Sequence, residues 1–246
     1  MSNNFIFHSI SVDNFFRNPD FIREWGLSLD FKPDANGNWP GERSKLIGDI
    51  DLDLNNFILS KIFSCHLNLN LEKIKWKESS ITFQKIKKFS NAKDDIKNIG
   101  WIHKDYDVNF AGLIYLTPNM NVNSGTSLYS LKKEFENKGD SLYYNQKVKL
   151  YKDKEYNEKM YKKELLLNNN MFVEKTRYYN IYNRMISYDA NEYHGANGFY
   201  NETDDERLTM VFFVKDISFS EEPSLRRFYN NNYITDENIE SKIRSL

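Results

Sequence analysis

Apolar positions in this chain follow two periods. Over the first quarter they recur at three- and four-residue spacing, the period of a helix with one buried face. Asn18-Pro19-Asp20 reads as a helix start: Asn at the N-cap, Pro at the first helical position, an acid in the first turn. It predicts a helix from Pro19 to about Leu29, with Phe21, Ile22 and Trp25 on one face. A second helix is expected over 54–67, where Phe57, Ile58, Ile62 and Phe63 fall at helical spacing. Residues 31–49 hold Pro33, Gly37, Pro40, Gly41 and Gly48 and read as a loop. The stretch 5–12 is apolar enough for an opening strand.

After Lys73 the period shortens to two. Strands are expected over 80–86, 111–117, 126–131, 180–188 and 208–214, the last two with strong β composition. In 111–117 the alternation places Leu113, Tyr115 and Thr117 on one side and Ile114 and Leu116 on the other. Residues 132–177 break the pattern. They are rich in Lys, Glu, Tyr and Asn, with a polar helix expected over 151–167. Such a stretch is either a solvated surface insertion or an arm beside a functional site. No internal repeat and no long linker divides the chain, so one domain of 246 residues is expected. Its parts are N-terminal helical support (1–75), a β core (80–215) interrupted by the insertion (132–177), and a C-terminal tail (216–246).

Composition narrows the class. With 40% hydrophobic and 15% aromatic residues the chain can bury a sizeable core. Its 34 basic and 35 acidic residues nearly cancel, so no global field favours nucleic acid. A single cysteine, Cys65, excludes an internal disulfide. No basic stretch followed by an apolar run opens the chain, and no apolar run has membrane-spanning length. A soluble, cytoplasmic protein without membrane partners is expected.

The candidate chemistry begins at His103-Lys104-Asp105. On an extended segment, a two-residue spacing points both side chains to one face. Two imidazoles and one carboxylate can hold one face of a divalent iron and leave other positions open, and His194 supplies the second imidazole. Arg207 begins the last strand with Thr209 on its own side, so the pair can grip one carboxylate, the guanidinium supplying a charge-assisted fork. Gln84, on the strand before the metal motif, and Arg43, in the turn Trp39-Pro40-Gly41-Glu42-Arg43, are candidate substrate contacts. Trp101 is expected to pack at the mouth of the barrel, with a possible contact to substrate or cosubstrate. His8 and His66 are expected to be structural, because Cys65-His66 lacks metal-ligand spacing.

With these residues in place, the chain resembles the Fe(II)- and 2-oxoglutarate-dependent oxygenases, closest in style to the prolyl-4-hydroxylase-like branch. The matching stretches are Trp101-Ile102-His103-Lys104-Asp105, Gly112-Leu113-Ile114-Tyr115-Leu116-Thr117, Ser124-Gly125-Thr126, Asn183-Arg184-Met185-Ile186-Ser187, His194, and Arg207-Leu208-Thr209-Met210-Val211-Phe212-Phe213. They cover roughly residues 81–214. The resemblance implies a mainly β fold: a double-stranded β-helix (jelly roll, cupin-like) with the N-terminal helices packed outside and a polar, partly helical insertion. It implies iron on His103, Asp105 and His194, and the C5 carboxylate of 2-oxoglutarate on Arg207, Tyr115 and Thr209. It implies Fe(II), 2-oxoglutarate and O2 as cofactor and cosubstrates, with hydroxylation of an unidentified primary substrate and release of succinate and CO2. Two alternatives stay open: a non-catalytic β-barrel module, and a nucleic-acid demethylase using the basic stretch between Lys147 and Lys163.

Overall fold

The computed structural model of the chain describes residues 7–67, 74–136 and 145–219. Two antiparallel sheets face each other. The larger has seven strands: β1 (Ile10–Val12), β2 (Phe31–Pro33), β3 (Glu42–Ser44), β5 (Glu78–Ile86), β6 (Phe110–Tyr115), β9 (Met185–Asp189) and β11 (Arg207–Lys215). Their spatial order is β1-β9-β6-β11-β5-β3-β2. The smaller sheet contains β7 (Thr126–Leu131), β8 (Phe172–Tyr178) and β10 (Tyr193–Ala196), ordered β10-β7-β8. A short extended segment at His103 bridges antiparallel to His194 and extends this sheet beyond β10. From β5 onward the chain crosses repeatedly between the two sheets, and this winding makes the core a double-stranded β-helix. A two-stranded ribbon joins β4 (Ile74–Lys75) to β12 (Ser218–Phe219).

Period-2 alternation sorts the side chains. On β6, Ala111, Leu113 and Tyr115 face the smaller sheet, in a cluster with Leu128, Tyr178, Ile186, Tyr188 and Val211. Phe110, Ile114 and Leu116 face the other way, with Phe83, Met185, Met210 and Phe212. That outer face is covered by α1 (Pro19–Leu27) and α3 (Leu52–Phe63), linked through the short α2 (Ile47–Ile50). Burying residues such as Phe63, Phe110 and Phe212 contributes about 2–3 kcal/mol each before entropy is charged against it. The N-cap of α1 is as expected, with Asn18 Oδ1 accepting from Phe21 N–H at 3.2 Å.

The helix faces differ in detail from the sequence expectation. Phe21 is 63% exposed and Phe57 is 72% exposed. Ile22 and Trp25 do pack on the core, and Gly26 is buried beside Phe83. The buried stripe on α3 is Ile58, Leu59, Ile62 and Phe63, so one flanking aromatic on each helix falls just outside it. Asp51 caps α3, which therefore starts two residues earlier than expected and ends at Phe63.

The stretch 31–49 is not a simple loop. It folds as the β2–β3 hairpin, which adds to the edge of β5 through Glu42↔Lys85 and Arg43↔Gln84. Its long turn is organised by the Asp34 carboxylate, which accepts from the backbone N–H groups of Asn36 and Asn38. Gly41 has φ +71°, and a Cβ there would run into the Lys85 carbonyl, so only glycine lets the turn approach β5. Residues 132–177 also hold more order than expected. They contain α4 (Asn145–Tyr151), α5 (Glu158–Asn169) and the whole of β8 but its last residue, and β8 pairs with β7 along its full length. The expected strand at 5–12 is seen over 10–12; residues 1–6, and the tail from 220, lie outside the described residues. Among the described residues no helix is long and apolar enough to cross a membrane.

Candidate active site

His103 and His194 are brought together by backbone pairing. Each donates its N–H to the other's carbonyl, at 2.9 and 2.8 Å, which sets the two rings 4.5 Å apart. The ring orientation is set in turn by the chain two residues upstream. His103 Nδ1 donates to the Trp101 carbonyl at 2.9 Å, and His194 Nδ1 to the Glu192 carbonyl at 3.0 Å. A carbonyl can only accept, so the proton sits on Nδ1 and the Nε2 lone pair is free. Both Nε2 atoms face Asp105: His103 Nε2 lies 3.9 Å from Oδ1 and His194 Nε2 3.4 Å from Oδ2. One ligand atom from each residue falls within 4.8 Å of the other two.

The donor set fits a divalent metal. Ligands on adjacent positions of an ion with bonds of about 2.1 Å sit roughly 3 Å apart, so small side-chain adjustments bring all three onto one ion. Asp105 Oδ2 is buried without a hydrogen-bond partner. A buried carboxylate oxygen with no donor is costly, and a cation satisfies it. Desolvation first, and then His194, lower the His103 pKa from its usual value against the pull of Asp105, and the Nδ1 bond to Trp101 leaves the Nε2 lone pair that a metal needs. The His103 side chain is 48% exposed and that of His194 7%, so the triad opens toward the cavity on the His103 side.

Arg207 and Thr209 stand on the inward face of β11. Arg207 is 3% exposed, yet its Nη2 is buried without a partner and its Nε makes only a 3.3 Å bond to the Ser124 carbonyl. Thr209 is wholly buried with its Oγ1 also unpartnered. The Tyr115 ring lies 5.4 Å from the guanidinium carbon, and its hydroxyl donates to Thr126 Oγ1 at 3.0 Å. Desolvation lowers the Arg207 pKa from its usual value and raises that of Tyr115. Among the described residues no acid pairs with this buried cation, and its Nη2 is a donor suited to a carboxylate; Thr209 and Tyr115 lie beneath the cavity wall rather than in its lining.

Triad and arginine line one cavity of about 630 Å³. Gln84, Arg43 and Trp101 line it too. Gln84 Nε2 donates to the Pro40 carbonyl at 2.8 Å, so this side chain anchors the β2–β3 turn. Trp101 is 3% exposed and donates from Nε1 to the Tyr161 hydroxyl of α5 at 3.2 Å, which joins the wall to the insertion. Sequence reasoning missed Lys147 and Tyr151 of α4 and Trp39 of the turn, all on the cavity wall. A signal existed for the first two: a four-residue spacing puts them on one side of a helix. The insertion thus contributes to the cavity wall.

α5 also supports the metal segment from behind. Its buried stripe, Tyr161, Leu165 and Asn168, packs against Trp101 and Tyr151. Asn168 Nδ2 donates to the Ile102 carbonyl at 2.9 Å, and Asn169 Nδ2 to the Gly100 carbonyl at 2.9 Å. Ile102 N–H donates to Asn169 Oδ1 at 3.2 Å. Two asparagine side chains therefore take the place of a neighbouring strand along the open edge of the segment that carries His103.

A family model described as a family of unknown function, DUF6445, matches residues 8–214. No curated protein matches the chain significantly. Among solved structures, the chain is similar to a prolyl hydroxylase from Trichoplax adhaerens in complex with a hypoxia inducible factor peptide fragment (14% identity, 85% of this chain and 83% of that one, TM-score 0.44). It is also similar to HygX from Streptomyces hygroscopicus with nickel, 2-oxoglutarate and hygromycin B bound (11% identity, 87% and 84%, TM-score 0.46). A third is a prolyl-4-hydroxylase from Pseudomonas putida (7% identity, 85% and 92%, TM-score 0.41).

Proposed function

We propose that this chain, which belongs to the family of unknown function DUF6445, is an Fe(II)- and 2-oxoglutarate-dependent oxygenase that hydroxylates a substrate admitted to the cavity. One observation carries the reading: two unmet electrostatic demands open onto a single cavity. Asp105 Oδ2 lacks a partner beside two free Nε2 lone pairs, and Arg207 is a buried cation lacking an anion. A divalent metal would meet the first demand and a carboxylate of 2-oxoglutarate the second.

In this reading His103, Asp105 and His194 would hold the metal. With both groups bound, the chemistry supplied is oxidative decarboxylation of 2-oxoglutarate by O2 to succinate and CO2, with hydroxyl insertion at a substrate C–H bond. The protein's part is placement and exclusion. Arg207 Nη2 and Thr209 Oγ1 take the far carboxylate, with the Tyr115 ring and hydroxyl beside them. The Trp101 and Glu192 carbonyls keep both imidazoles in the metal-binding tautomer. Leu113, Val211 and Tyr188 form an apolar floor that keeps water from the reacting centre. The branch-level assignment, a prolyl-4-hydroxylase-like hydroxylase, belongs to this proposal, as does the cofactor set.

The test is anaerobic loading with Fe(II), titration with 2-oxoglutarate, then succinate measurement on admission of O2. Saturable 2-oxoglutarate binding that needs the metal, and Fe(II)-dependent succinate, are expected. Iron-loaded protein that binds no 2-oxoglutarate overturns the reading. A non-catalytic barrel would keep its function in His103→Ala, whereas the oxygenase loses its iron.

A further inference from the structure

We propose that the primary substrate is anionic: a small molecule or side chain whose carboxylate or phosphate is held by Arg43 and Lys147. This rests on the oxygenase reading above and gives its open half a chemical class.

The charge inventory of the cavity is lopsided. Arg43, Lys104, Lys147 and Arg207 line it, against one acid, Asp105. Bound metal with Asp105 keeps one net positive charge, and this charge and Arg207 together balance the two negative charges of 2-oxoglutarate. Lys104 Nζ lies 4.2 Å from the centre of the Tyr193 ring, which is outside the cavity lining, whereas the rings that hold Arg43 and Lys147 line the cavity. Two cations remain. Neither Arg43 nor Lys147 makes an ion pair among the described residues, and Arg43 Nε is buried without a hydrogen-bond partner.

What holds them is aromatic. The Arg43 guanidinium carbon lies 4.1 Å from the Trp39 ring centre and 5.5 Å from that of Phe213. Lys147 Nζ lies 5.6 Å from the Trp101 ring and 5.7 Å from Tyr151. A ring face stabilises a cation but takes none of its hydrogen-bonding capacity away from an oxyanion. Partial burial has lowered Arg43 to about 10 and Lys147 to about 8, so both are shielded in part from water and still charged at neutral pH. Part of the desolvation that usually weakens an ion pair is therefore already incurred on folding. Asp105 and Asp34 act on Arg43 only through space, and Asp34 is committed to Asn36 and Asn38. A neutral or cationic substrate would leave both charges uncompensated. The flanking rings favour an apolar or planar body behind the anion. The volume, shared with 2-oxoglutarate, limits the guest to a small molecule or one side chain.

The probes are phenylacetate, phenyl phosphate and the neutral phenylacetamide, titrated by calorimetry into anaerobic protein holding Fe(II) and 2-oxoglutarate. At least one anion is expected to bind tenfold or more tightly than the amide; which anion wins separates carboxylate from phosphate. Arg43→Met and Lys147→Met are each expected to reduce that preference about tenfold, the effect of one charge-assisted hydrogen bond, while 2-oxoglutarate affinity moves less than twofold. Lys147 sits at the cavity wall on α4, so its variant tests the idea even if Arg43→Met folds poorly. Equal binding of anions and amide, or a preference unchanged in Lys147→Met, overturns the proposal. If the protein takes up no 2-oxoglutarate, the oxygenase reading fails; the same titrations on metal-free Arg207→Met protein then decide the anion preference alone.

Discussion

Arg207→Met separates binding from stability in a way few substitutions do. The native side chain is a buried cation with an unpartnered Nη2. Leaving that donor unsatisfied costs about 1–3 kcal/mol, and the desolvated charge adds to it. Against this stand the weak Nε bond to Ser124, worth about 1 kcal/mol, and the Tyr115 contact at 5.4 Å, worth about 0.5–1 kcal/mol. Methionine fills much of the same volume without a polar atom. The ligand-free variant is therefore expected to be more stable than the native chain by about 1–2 kcal/mol, a rise of roughly 2–8 °C in Tm for a domain of this size. Adding 2-oxoglutarate at a hundred times its Kd to metal-loaded native protein is expected to gain about 2.7 kcal/mol, and adding it to the equally metal-loaded variant nothing. Differential scanning fluorimetry with and without ligand reads both. A variant that melts lower than the native chain and still responds to 2-oxoglutarate would refute the assignment of Arg207 to an absent carboxylate.

Three further outcomes test other parts of the structure. Asn169→Ala removes two of the bonds that hold the backbone beneath His103, and metal affinity, measured by competition with a chelator, is expected to fall about tenfold; unchanged affinity would show that the segment holds its shape without α5. His66 is buried against Ser187 and its pKa is lowered to about 4, below the unfolded value of about 6.5, so the unfolded chain takes up its proton first and stability drains as pH falls from about 6.5 toward 4. Between pH 7 and 5 the native chain is expected to lose about 1–2 kcal/mol more than His66→Gln in urea unfolding; parallel losses would exclude the histidine as the source. Gly26→Ala drives a Cβ into the Phe83 ring and is expected to cost about 1–3 kcal/mol by overpacking; a neutral result in denaturant titration would mean that α1 can shift on the sheet.

Legibility in the sequence followed the physics of each signal. Strands such as β6 and β11 could be read because each turns one row of side chains to each core and so is a near-continuous run of apolar and β-forming residues. The His103-X-Asp105 pair could be read because its spacing by itself puts both groups on one face. The β2–β3 hairpin could not: each strand is three residues long and sits among glycines and prolines. β8 was hidden because its middle is Val-Glu-Lys-Thr-Arg, the composition of a strand with much of its length exposed. The four-residue β10 gave no period to count. Lys147 and Tyr151 were obscured by a polar segment whose sequence carries no information on which wall it will face. Arg43 was singled out for its turn, yet what distinguishes it is the missing anion beside it, a property of three dimensions.

The asparagine pair at the end of α5 has a consequence for how such proteins can diversify. Segments that shape specificity are ordinarily exchangeable, since they sit on a scaffold that holds itself together. Here the carbonyls of Gly100 and Ile102 find their donors on side chains more than sixty residues downstream, on the same insertion that presents Lys147 to the cavity. A foreign insertion grafted in its place would have to bring its own two amides to the same spots or loosen the grip on the metal. In the proposed reading, substrate choice and metal retention are therefore inherited together, and a change of guest arises more readily by substitution within α4 and α5 than by swapping the segment whole.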